Sequence, residues 1–395
     1  MIAESTQAPD KQSVANGTVL LVANYRPDVG FAWWLMEHFW VRAAMLAGES
    51  TLQTLLAYPE TGEIPETIRA ARIEHVVLPV PGAGLRGLFR TVRLVRARKV
   101  RVVYFTDRAF TSLTYLALRL AGVRRIVTHD HTPGDRPAIG GVKGVLKAMW
   151  RRVPMLSADL HVSVSPLIRD RAVRNARIPA VRCAVVQNGI APVRGTGDRE
   201  YARRTFALPT DAIICMTVAR ANPYKRVDFV IEVARLCVVE RRRTDMVFVF
   251  CGDGPDLERL RRLADSSGIG NHFIFAGHRT DIRLLLGSAD LALHPSKGEA
   301  FSLAIVEYMS AGLPLLVPDI PTVCQAVVHG ESGFVYPDGD AQAAAALACR
   351  LADDAAERRR IGAQASQAVD AHFSMQGMAA QFDDVIGGAI RSLMR

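Results

Sequence analysis

The sequence lacks a continuous apolar run long enough to cross a membrane. A membrane-spanning helix needs about 20 apolar residues, and the richest candidate, residues 31–40, is interrupted by Glu37 and His38. None of the six cysteines stands in a Cys-x-x-Cys pair, and most lie inside apolar stretches. This pattern predicts buried, reduced thiols in a cytoplasmic protein.

Aromatic residues are scarce, and so are acidic residues in the first half of the chain. Aromatic side chains make up 7% of the sequence. Residues 1–195 hold 27 Lys and Arg against 14 Asp and Glu, whereas residues 196–395 hold 22 against 25. The first half is therefore expected to meet an anionic partner. We do not expect nucleic acid, because no recognised binding motif accompanies the charge.

What the sequence does contain is a series of short apolar runs alternating with helical patterns, and this series occurs twice. Near-continuous apolar strands separated by helices are typical of parallel sheets covered on both faces. The predicted strands are residues 18–23, 51–57, 75–80, 100–105, 124–129, 160–165 and 181–187, followed by 212–219, 246–252, 272–277, 291–295 and 314–318.

The predicted fold class is α/β, with two Rossmann-like, doubly wound parallel-sheet domains facing a central cleft. A chain of 395 residues is long enough for two such domains. We place them at 17–195 and 196–375, joined by residues 191–200, which mix Pro, Gly and charge. Ligands of such sheets bind at the carboxyl ends of the strands, so the residues that follow each strand are the candidates for a site.

The most informative motif is residues 294–318, in which a predicted strand, a Gly-containing loop and a helix follow one another. Ser302 is the expected N-cap of a helix over 303–310. A loop leading into a helix start presents backbone N–H groups and the positive end of the helix dipole, and can bind phosphate. Glu299 lies just before this helix and Glu307 inside it. Each carboxylate could accept hydrogen bonds from a pair of vicinal sugar hydroxyls.

A second motif supplies two cations at the end of a predicted strand. Arg220 and Lys225 stand five residues apart across a turn that contains Asn222 and Pro223. The pyrophosphate of a departing nucleotide gains negative charge as its bond to a sugar breaks. Two fixed cations would stabilise that charge. The alternative is an ordinary solvated basic turn.

Three further loops follow predicted strands. Gly252 and Gly254 permit a close approach of the backbone. Gly30 belongs to the turn after the first strand. His129 and Asp130 end another strand, but no third ligand at convincing spacing accompanies them, so we do not expect a metal there.

Together these motifs resemble the retaining glycosyltransferases of family four, which have the GT-B architecture. The mark of the family is Glu-x7-Glu, which Glu299 and Glu307 match within G-E-x-F-x-L-x-x-x-E-x-M-x-x-G-x-P. The resemblance implies that Glu299 contacts the hydroxyls of the donor sugar and that Glu307 holds the ribose. It also implies that the amides of Ala300, Phe301 and Ser302 approach the sugar and phosphates.

The resemblance assigns the two cations to the donor diphosphate. In the family an Arg and a Lys at these positions stand in a Gly-Arg…Lys-Gly frame. Arg220 and Lys225 match the cations, whereas Ala219 and Arg226 replace both glycines.

The other loops also receive roles from the resemblance. The loop of Gly252 and Gly254 is expected near the nucleotide, and the loop of Arg279 against the base. Gly30 corresponds to one of two adjacent glycines that face the donor phosphate and the acceptor, and Val29 stands in place of the other.

A histidine of the family contacts the donor sugar near its reacting carbon. His129 fits this role best, and His131 is the rival. The run Asn188-Gly189-Ile190 matches the family before the linker, although Ala191 replaces the usual Asp. We expect Gly189 to shape the hinge between the domains.

The implied activity is metal-independent transfer, with retention, of a sugar from a nucleotide-diphosphate-sugar to an acceptor hydroxyl. No cofactor is expected, and the acceptor would be a lipid-linked or cell-surface glycan precursor of polysaccharide biosynthesis. The final helix, at about 376–395, is expected to cross back onto the first domain. Asp338-Gly339-Asp340 has the form of a metal-diphosphate motif, but it precedes an Ala-rich helix, so we expect Asp340 to be its N-cap.

Residues 84–101 contain seven Lys and Arg and no acidic residue. Apolar residues recur there at helical spacing, at Leu85, Leu88, Phe89, Val92 and Val95. One interpretation is a surface helix that packs this apolar stripe on the sheet. The other is a peripheral contact with anionic lipid headgroups, or with a lipid-diphosphate acceptor, at the inner face of the membrane, made through Arg86, Arg90 and Arg93.

Two other functions are compatible with much of this pattern. A nucleotide-sugar epimerase of the same fold would turn over its substrate without an acceptor. A catalytically inactive sugar-nucleotide-binding subunit of an envelope-assembly complex would bind the donor without transfer, and Val29 in place of a glycine is compatible with it. A basic membrane-surface adaptor would leave Arg220, Lys225, Glu299 and Glu307 unexplained.

Overall fold

The computed structural model describes residues 16–29, 33–78, 84–134, 136–138, 140–193 and 198–392. Within these residues the chain forms two parallel β-sheets, one after the other, with helices on both faces of each. The predicted α/β class with two Rossmann-like sheets is confirmed.

The first sheet has seven strands, all paired in parallel. They are β1 Thr18–Val22, β2 Gln53–Tyr58, β3 Glu74–Val77, β4 Val100–Thr106, β5 Arg125–Asp130, β6 Leu160–Ser163 and β7 Cys183–Val185. Their order is β3-β2-β1-β4-β5-β6-β7. All five residues of β1 are buried, as expected of a strand covered on both faces.

The second sheet has six parallel strands. They are β8 Ile213–Val218, β9 Met246–Cys251, β10 Phe273–Gly277, β11 Leu291–Leu293, β12 Leu315–Pro318 and β13 Phe334–Tyr336. Their order is β10-β9-β8-β11-β12-β13. Sequence patterns missed β13, because three residues at a sheet edge are too few to show a strand period.

The helices cover both faces of the two sheets. Those before the second sheet are α1 Trp33–Glu49, α2 Glu66–Ala70, α3 Gly84–Ala97, α4 Leu113–Leu120, α5 Gly141–Trp150, α6 Pro166–Arg174 and α7 Tyr201–Thr205. The later ones are α8 Val227–Arg235, α9 Leu257–Ser266, α10 Ile282–Leu286, α11 Leu303–Ser310, α12 Pro321–Cys324, α13 Ala341–Asp353, α14 Ala355–His372 and α15 Met375–Arg391. Short 3₁₀ or π segments lie at Pro154–Leu156, Ala180–Arg182, Leu236–Glu240 and Gly270–His272.

The strand order of each sheet reverses beside its first strand. In the first sheet β1 lies between β2 and β4, and in the second β8 lies between β9 and β11. Loops after these strands leave in opposite directions and open a crevice at their carboxyl ends. The fold therefore places the ends of β1, β4, β8 and β11 where a ligand can enter.

The last helix, α15, returns to the helical layer of the first sheet. It packs against α1, where Phe382 stacks on Phe39 with ring centroids 5.2 Å apart. Arg42 and Asp383 form an ion pair between the same helices. The predicted domain boundaries at residues 195 and 375 stay predictions, since residues 194–197 lie outside the described residues.

Helix α3 corrects one expectation. Leu85 and Phe89 are 85% and 74% exposed, so the interpretation in which the apolar stripe packs on the sheet is wrong for these two residues. It holds in part for the rest of the stripe, since Val95 is buried and Leu88 and Val92 are half-buried. The buried residues of the helix are Gly87, Thr91 and Val95. Small residues at the contact let the helix lie close to its neighbours, and this turns the larger apolar side chains outward.

Neither a bilayer-spanning helix nor a disulfide occurs within the described residues. No helix there combines the length and the apolar character that crossing a membrane requires. All six cysteines lie in the described residues and are free thiols.

Gly189 provides a test of how α15 is attached. A Cβ added to Gly189 would lie 2.3 Å from the carbonyl oxygen of Ser374, so Gly189→Ala must displace the start of α15. We expect the free energy of unfolding to fall by about 2 kcal/mol, measured by urea denaturation. The control is Gly48→Ala inside α1, where nothing lies within 4 Å of the added Cβ. That change should stabilise by up to about 1 kcal/mol, and equal effects at both sites would contradict the account.

Candidate functional site

A cleft of about 1050 Å³ lies between the two sheets. Its walls include Asp107 and His131, which follow β4 and β5, and Arg220 and Glu299, which follow β8 and β11. Both halves of the chain therefore contribute polar side chains to one cavity, at the place where the strand orders predict a ligand.

Lys225 and Glu299 meet inside this cleft. Lys225 Nζ donates a hydrogen bond of 2.5 Å to Glu299 Oε1. His294 Nε2 lies 3.0 Å from the same oxygen. Since a carboxylate only accepts hydrogen bonds, this contact assigns the imidazole proton to Nε2. Burial opposes ionisation of Glu299, but the His294 hydrogen bond and the Lys225 charge prevail and hold its pKa at about 2. Glu299 is therefore a carboxylate at neutral pH.

A side-chain-assisted turn places Lys225. The carboxamide oxygen of Asn222 accepts hydrogen bonds from the backbone N–H groups of Tyr224 and Lys225, both at 3.1 Å. Such a turn is the usual reason for Asn at this position. The next residue, Arg226, has a φ of 53°, in the left-handed region that favours glycine. This is one of the positions at which the family pattern has glycine.

Arg220 lies on the same side of the cleft. It follows β8 after Ala219, is exposed, and lines the cavity together with Lys225. The structure thus brings both sequence-predicted cations to one wall of the cleft, beside Glu299.

Helix α11 begins at the cleft, as predicted. It runs over Leu303–Ser310, and Ser302 occupies the N-cap position. The Ser302 side chain makes no capping hydrogen bond. Instead its hydroxyl lies 3.4 Å from His294 Nε2. Ala300, Phe301 and Ser302 all line the cavity.

Glu307 faces the cleft from within α11. Burial raises its pKa to about 7, against the opposing charge of Arg283. Glu299 and Glu307 thus differ in state although they are the same residue type, because Glu299 has cationic and hydrogen-bonding partners close to its carboxylate.

Gly252 and Gly254 make a close approach between two loops possible. A Cβ at Gly252 would lie 1.8 Å from the carbonyl oxygen of Ala219, and one at Gly254 would lie 2.4 Å from that of Ala221. The Gly252 N–H already donates to Gly277 O at 2.8 Å. Gly252 lines the cleft. Gly254 is not among the described residues that line it. The structure therefore gives Gly254 a packing role, and its contact with the donor stays a prediction.

Arg279 lines the cleft but is held by a neighbouring carboxylate. Its Nε and a terminal nitrogen donate to the two oxygens of Asp281 at 2.8 and 2.6 Å. The Arg279 hydrogen bond is the main favourable contact that lowers the pKa of Asp281 to about 2. The Tyr201 hydroxyl donates to Asp281 as well. The guanidinium therefore shapes the loop after β10.

The structure separates the two candidate histidines. His129 is fully buried, and its Nδ1 lies 2.5 Å from the Tyr104 hydroxyl. His131 lines the cleft, with its ring centroid 4.2 Å from that of His129. β5 continues to Asp130 and keeps the His129 side chain in the core, so His131 and not His129 is on the cleft wall; which histidine contacts the donor sugar stays a prediction. His131 is the first residue beyond the strand.

Asp107 is a cleft residue that the sequence patterns missed. It follows β4 directly, with a φ of 51°. Its Oδ1 accepts the backbone N–H of His131 at 2.6 Å, and its Oδ2 accepts from Asn24 at 3.2 Å. Burial raises its pKa. The rule that residues after strands matter would have found Asp107. It would not have found His294, because the predicted strand extends to residue 295 whereas β11 ends at Leu293.

Two sequence-based expectations remain, one at Gly30 and one at Asp340. Gly30 lies outside the described residues, so its expected contact with the donor phosphate stays a prediction. Asp340 is the N-cap of α13, and its carboxylate accepts from Ala343 N at 2.9 Å, as predicted. No group of three or more potential metal ligands occurs among the described residues, and metal independence stays a prediction.

The fold and the cleft together define the architecture as GT-B, two Rossmann-like parallel sheets that face one cavity. Residues 51–194 match the family described as Glycosyltransferase Family 4, and residues 198–368 match Glycosyl transferases group 1. The two matches lie one after the other and take in most of the chain. The chain belongs to these glycosyltransferases, and the resemblance predicted from Glu299 and Glu307 is confirmed at the level of the family.

Curated relatives are similar at low identity. The chain is 24% identical over 194 residues to an N-acetyl-alpha-D-glucosaminyl L-malate synthase of Bacillus anthracis, covering 49% of this chain and half of that protein. It is 23% identical over 279 residues to an Escherichia coli UDP-Gal:alpha-D-GlcNAc-diphosphoundecaprenol alpha-1,3-galactosyltransferase. This match covers 68% of this chain and 71% of that protein. It is 26% identical over 330 residues to a Mycobacterium tuberculosis GDP-mannose-dependent alpha-(1-6)-phosphatidylinositol monomannoside mannosyltransferase. This match covers 79% of this chain and 81% of that protein.

Solved structures share the fold over nearly the full length. A glycosyltransferase from Rickettsia africae superposes with a TM-score of 0.77 at 16% identity, covering 95% of this chain and 99% of that one. Anabaena HepE in complex with UDP-glucose superposes with a TM-score of 0.73 at 18% identity, covering 94% and 100%.

The raised pKa of Glu307 predicts a pH dependence of stability. The folded protein keeps this proton up to about pH 7, whereas the unfolded chain releases it near 4.5. The free energy of unfolding should therefore fall as pH rises through this window, by at most about 3 kcal/mol from this group. In Glu307→Gln that component of the slope should vanish, as measured by urea denaturation across the window. Glu258→Gln, an exposed change on α9, should keep it, and an unchanged slope in Glu307→Gln would refute the assignment.

Proposed function

We propose that the protein transfers a sugar, with retention of anomeric configuration and without a metal, from a nucleotide-diphosphate-sugar to an acceptor hydroxyl. The observation that carries this proposal is the meeting of Arg220, Lys225, Glu299 and the start of α11 in one cleft. Cations and a helix N-terminus favour a diphosphate. A permanently ionised carboxylate beside them suits the hydroxyls of the attached sugar.

The donor fits the cleft in one direction. Its diphosphate would lie at Arg220 and Lys225, close to the amides of 300–302. Its sugar would then reach Glu299, and its ribose would reach Glu307. Glu299 lies in the loop that leads into α11 and Glu307 lies within the helix, so the loop and the first turns of α11 together set the spacing between the two hydroxyl-binding positions.

The transfer needs no enzymic nucleophile in this proposal. The bond from the anomeric carbon to the phosphate oxygen breaks, and the acceptor oxygen bonds to that carbon on the same face. The acceptor proton passes to the departing phosphate, whose growing charge Arg220 and Lys225 stabilise. His131 would line the reaction centre, and burial lowers its pKa, which favours the neutral imidazole at neutral pH.

We propose a lipid-linked or cell-surface glycan precursor as the acceptor. Two relatives are named for acceptors of this kind, a diphosphoundecaprenol and a phosphatidylinositol monomannoside. The basic first half supports the same choice, because such acceptors are anionic and lie at a membrane. Arg86, Arg90 and Arg93 of α3 are exposed and would contact anionic headgroups at the inner face of the membrane.

Lys225→Ala and Glu299→Ala test the site. Each should lower kcat/KM at least about a hundredfold, because each removes a contact to the charged leaving group or its sugar. Transfer would be measured with the nucleotide sugar that gives the largest thermal stabilisation in a panel of UDP-, GDP- and ADP-sugars. Glu258→Ala and Arg262→Ala, exposed on α9, are the matched controls and should keep full activity.

The same assay separates the alternatives. Wild-type activity in both cleft variants would contradict the site. Turnover of the donor without an acceptor would indicate an epimerase, and donor binding with neither transfer nor hydrolysis would indicate an inactive subunit. Product of inverted configuration, or loss of transfer on chelation with EDTA, would refute retention or metal independence.

Replacing Arg86, Arg90 and Arg93 with Ser tests the proposed membrane contact. Binding to vesicles of phosphatidylcholine with phosphatidylglycerol should weaken about tenfold or more at low salt, because each arginine contributes about 1 kcal/mol near an anionic surface. Replacing Arg259, Arg261 and Arg262 of α9 removes the same charge from another exposed helix and should leave binding unchanged. Equal binding by both triple variants would contradict a contact through α3.

A further inference from the structure

Helix α5 exposes most of its apolar side chains. Val142 is 76% exposed, Val145 and Leu146 are each 60% exposed, and Met149 is 61% exposed. The buried residue of this helix is Gly144. Scattered apolar residues are ordinary on a protein surface, but a cluster on one short helix indicates an interaction site. Sequence patterns did not single out this helix, because its apolar content resembles that of a core helix.

The exposed apolar surface continues beyond α5. Val153 and Met155, in and beside the following 3₁₀ segment, are exposed. That segment packs against α4, which exposes Leu113 and Leu120. Helix α4 in turn contacts α3, where Leu85 and Phe89 are exposed, so exposed apolar side chains occur on four neighbouring elements.

The segment of chain that contains α5 carries charge of one sign. Residues 136–158 contain five cations and no acid, and the cations are Arg136, Lys143, Lys147, Arg151 and Arg152. Partial burial, followed by the charges of Arg151 and Arg136, lowers the pKa of Lys147. A second copy of this chain would bring the same cations to the interface and be repelled. An anionic surface would be attracted.

We propose that α5 lies in the interface of an anionic bilayer, with Val145, Leu146, Met149 and Trp150 inserted among the lipids. Apolar side chains flanked by cations are the composition of helices that lie in the plane of a membrane. The arginines of α3 supply long-range attraction that salt screens, whereas α5 supplies apolar burial that salt does not weaken. The inference goes beyond the transfer reaction and does not depend on it.

The position of α5 connects this surface with the cleft. His131 lines the cavity, and α5 begins ten residues later, at Gly141. Between them, Arg171 donates a hydrogen bond to Gly134 O. The Gly134 Cα would lie 3.2 Å from a Cβ added to Gly298, beside Glu299. A bilayer that held α5 would therefore lie on the same side of the molecule as the segment that leads to the cleft.

The decisive variant changes Val145, Leu146 and Met149 to Gln. Glutamine keeps helix propensity, and all three side chains are exposed, so a thermal melt should show the wild-type Tm. Its partition coefficient onto vesicles of phosphatidylcholine with phosphatidylglycerol should fall roughly tenfold or more. The remaining binding should be abolished by high salt, whereas the wild type should keep a salt-resistant part.

A matched control removes exposed apolar side chains elsewhere. Val181, Val239 and Val328 are 94%, 49% and 56% exposed, and changing all three to Gln should leave vesicle binding unchanged. Trp150, at the end of α5, gives a direct readout. Its fluorescence should shift to the blue on addition of the mixed vesicles, and the shift should be absent in Trp150→Phe.

Three results would overturn the inference. They are equal vesicle binding by the α5 variant and its control, equal binding to vesicles of phosphatidylcholine alone, and a concentration-dependent dimer that the α5 variant abolishes. The last result would make a second copy the occupant. Stabilisation by nucleotide sugars should be the same in the α5 variant and the wild type. Vesicle binding therefore tests the membrane contact of α5, whereas nucleotide-sugar stabilisation and transfer assays test the proposed reaction, so failure of one can be told apart from failure of the other.

Discussion

The contact of Lys225 with Glu299 is the interaction on which the cleft depends. It joins the turn after β8 to the loop after β11, and His294 adds a hydrogen bond to the same carboxylate oxygen. A buried carboxylate is tolerated only when it is paired and hydrogen-bonded. The pair therefore fixes the cation beside the start of α11. An anionic ligand would meet charges that are already in place.

Close packing of loop backbones places the remaining walls of the cleft. The loops after β8 and β9 approach so closely at Gly252 that no side chain fits there. The segment around Gly134 approaches Gly298 and Tyr224 in the same way. Since Gly134 belongs to the first half of the chain and Gly298 to the second, glycine sets how near the two walls come.

The first half of the molecule combines two kinds of surface. Its sheet and its polar strand ends face the cleft, while α3 and α5 turn apolar and cationic side chains outward. Both helices pack through small residues, Gly87 in α3 and Gly144 in α5. A helix that is buried through glycine contributes little apolar area to the core, so its larger residues remain available for an external partner.

Local rules were sufficient for much of this molecule. Apolar runs predicted all strands except β13, and capping chemistry predicted the start of α13 at Asp340, because strand period and caps depend on residues close in sequence. The choice between His129 and His131 required the tertiary structure, since it depends on where β5 ends and what covers it. The orientation of Leu85 and the pKa difference between Glu299 and Glu307 also required it. Each depends on which side chains the fold brings together, and no local pattern encodes that.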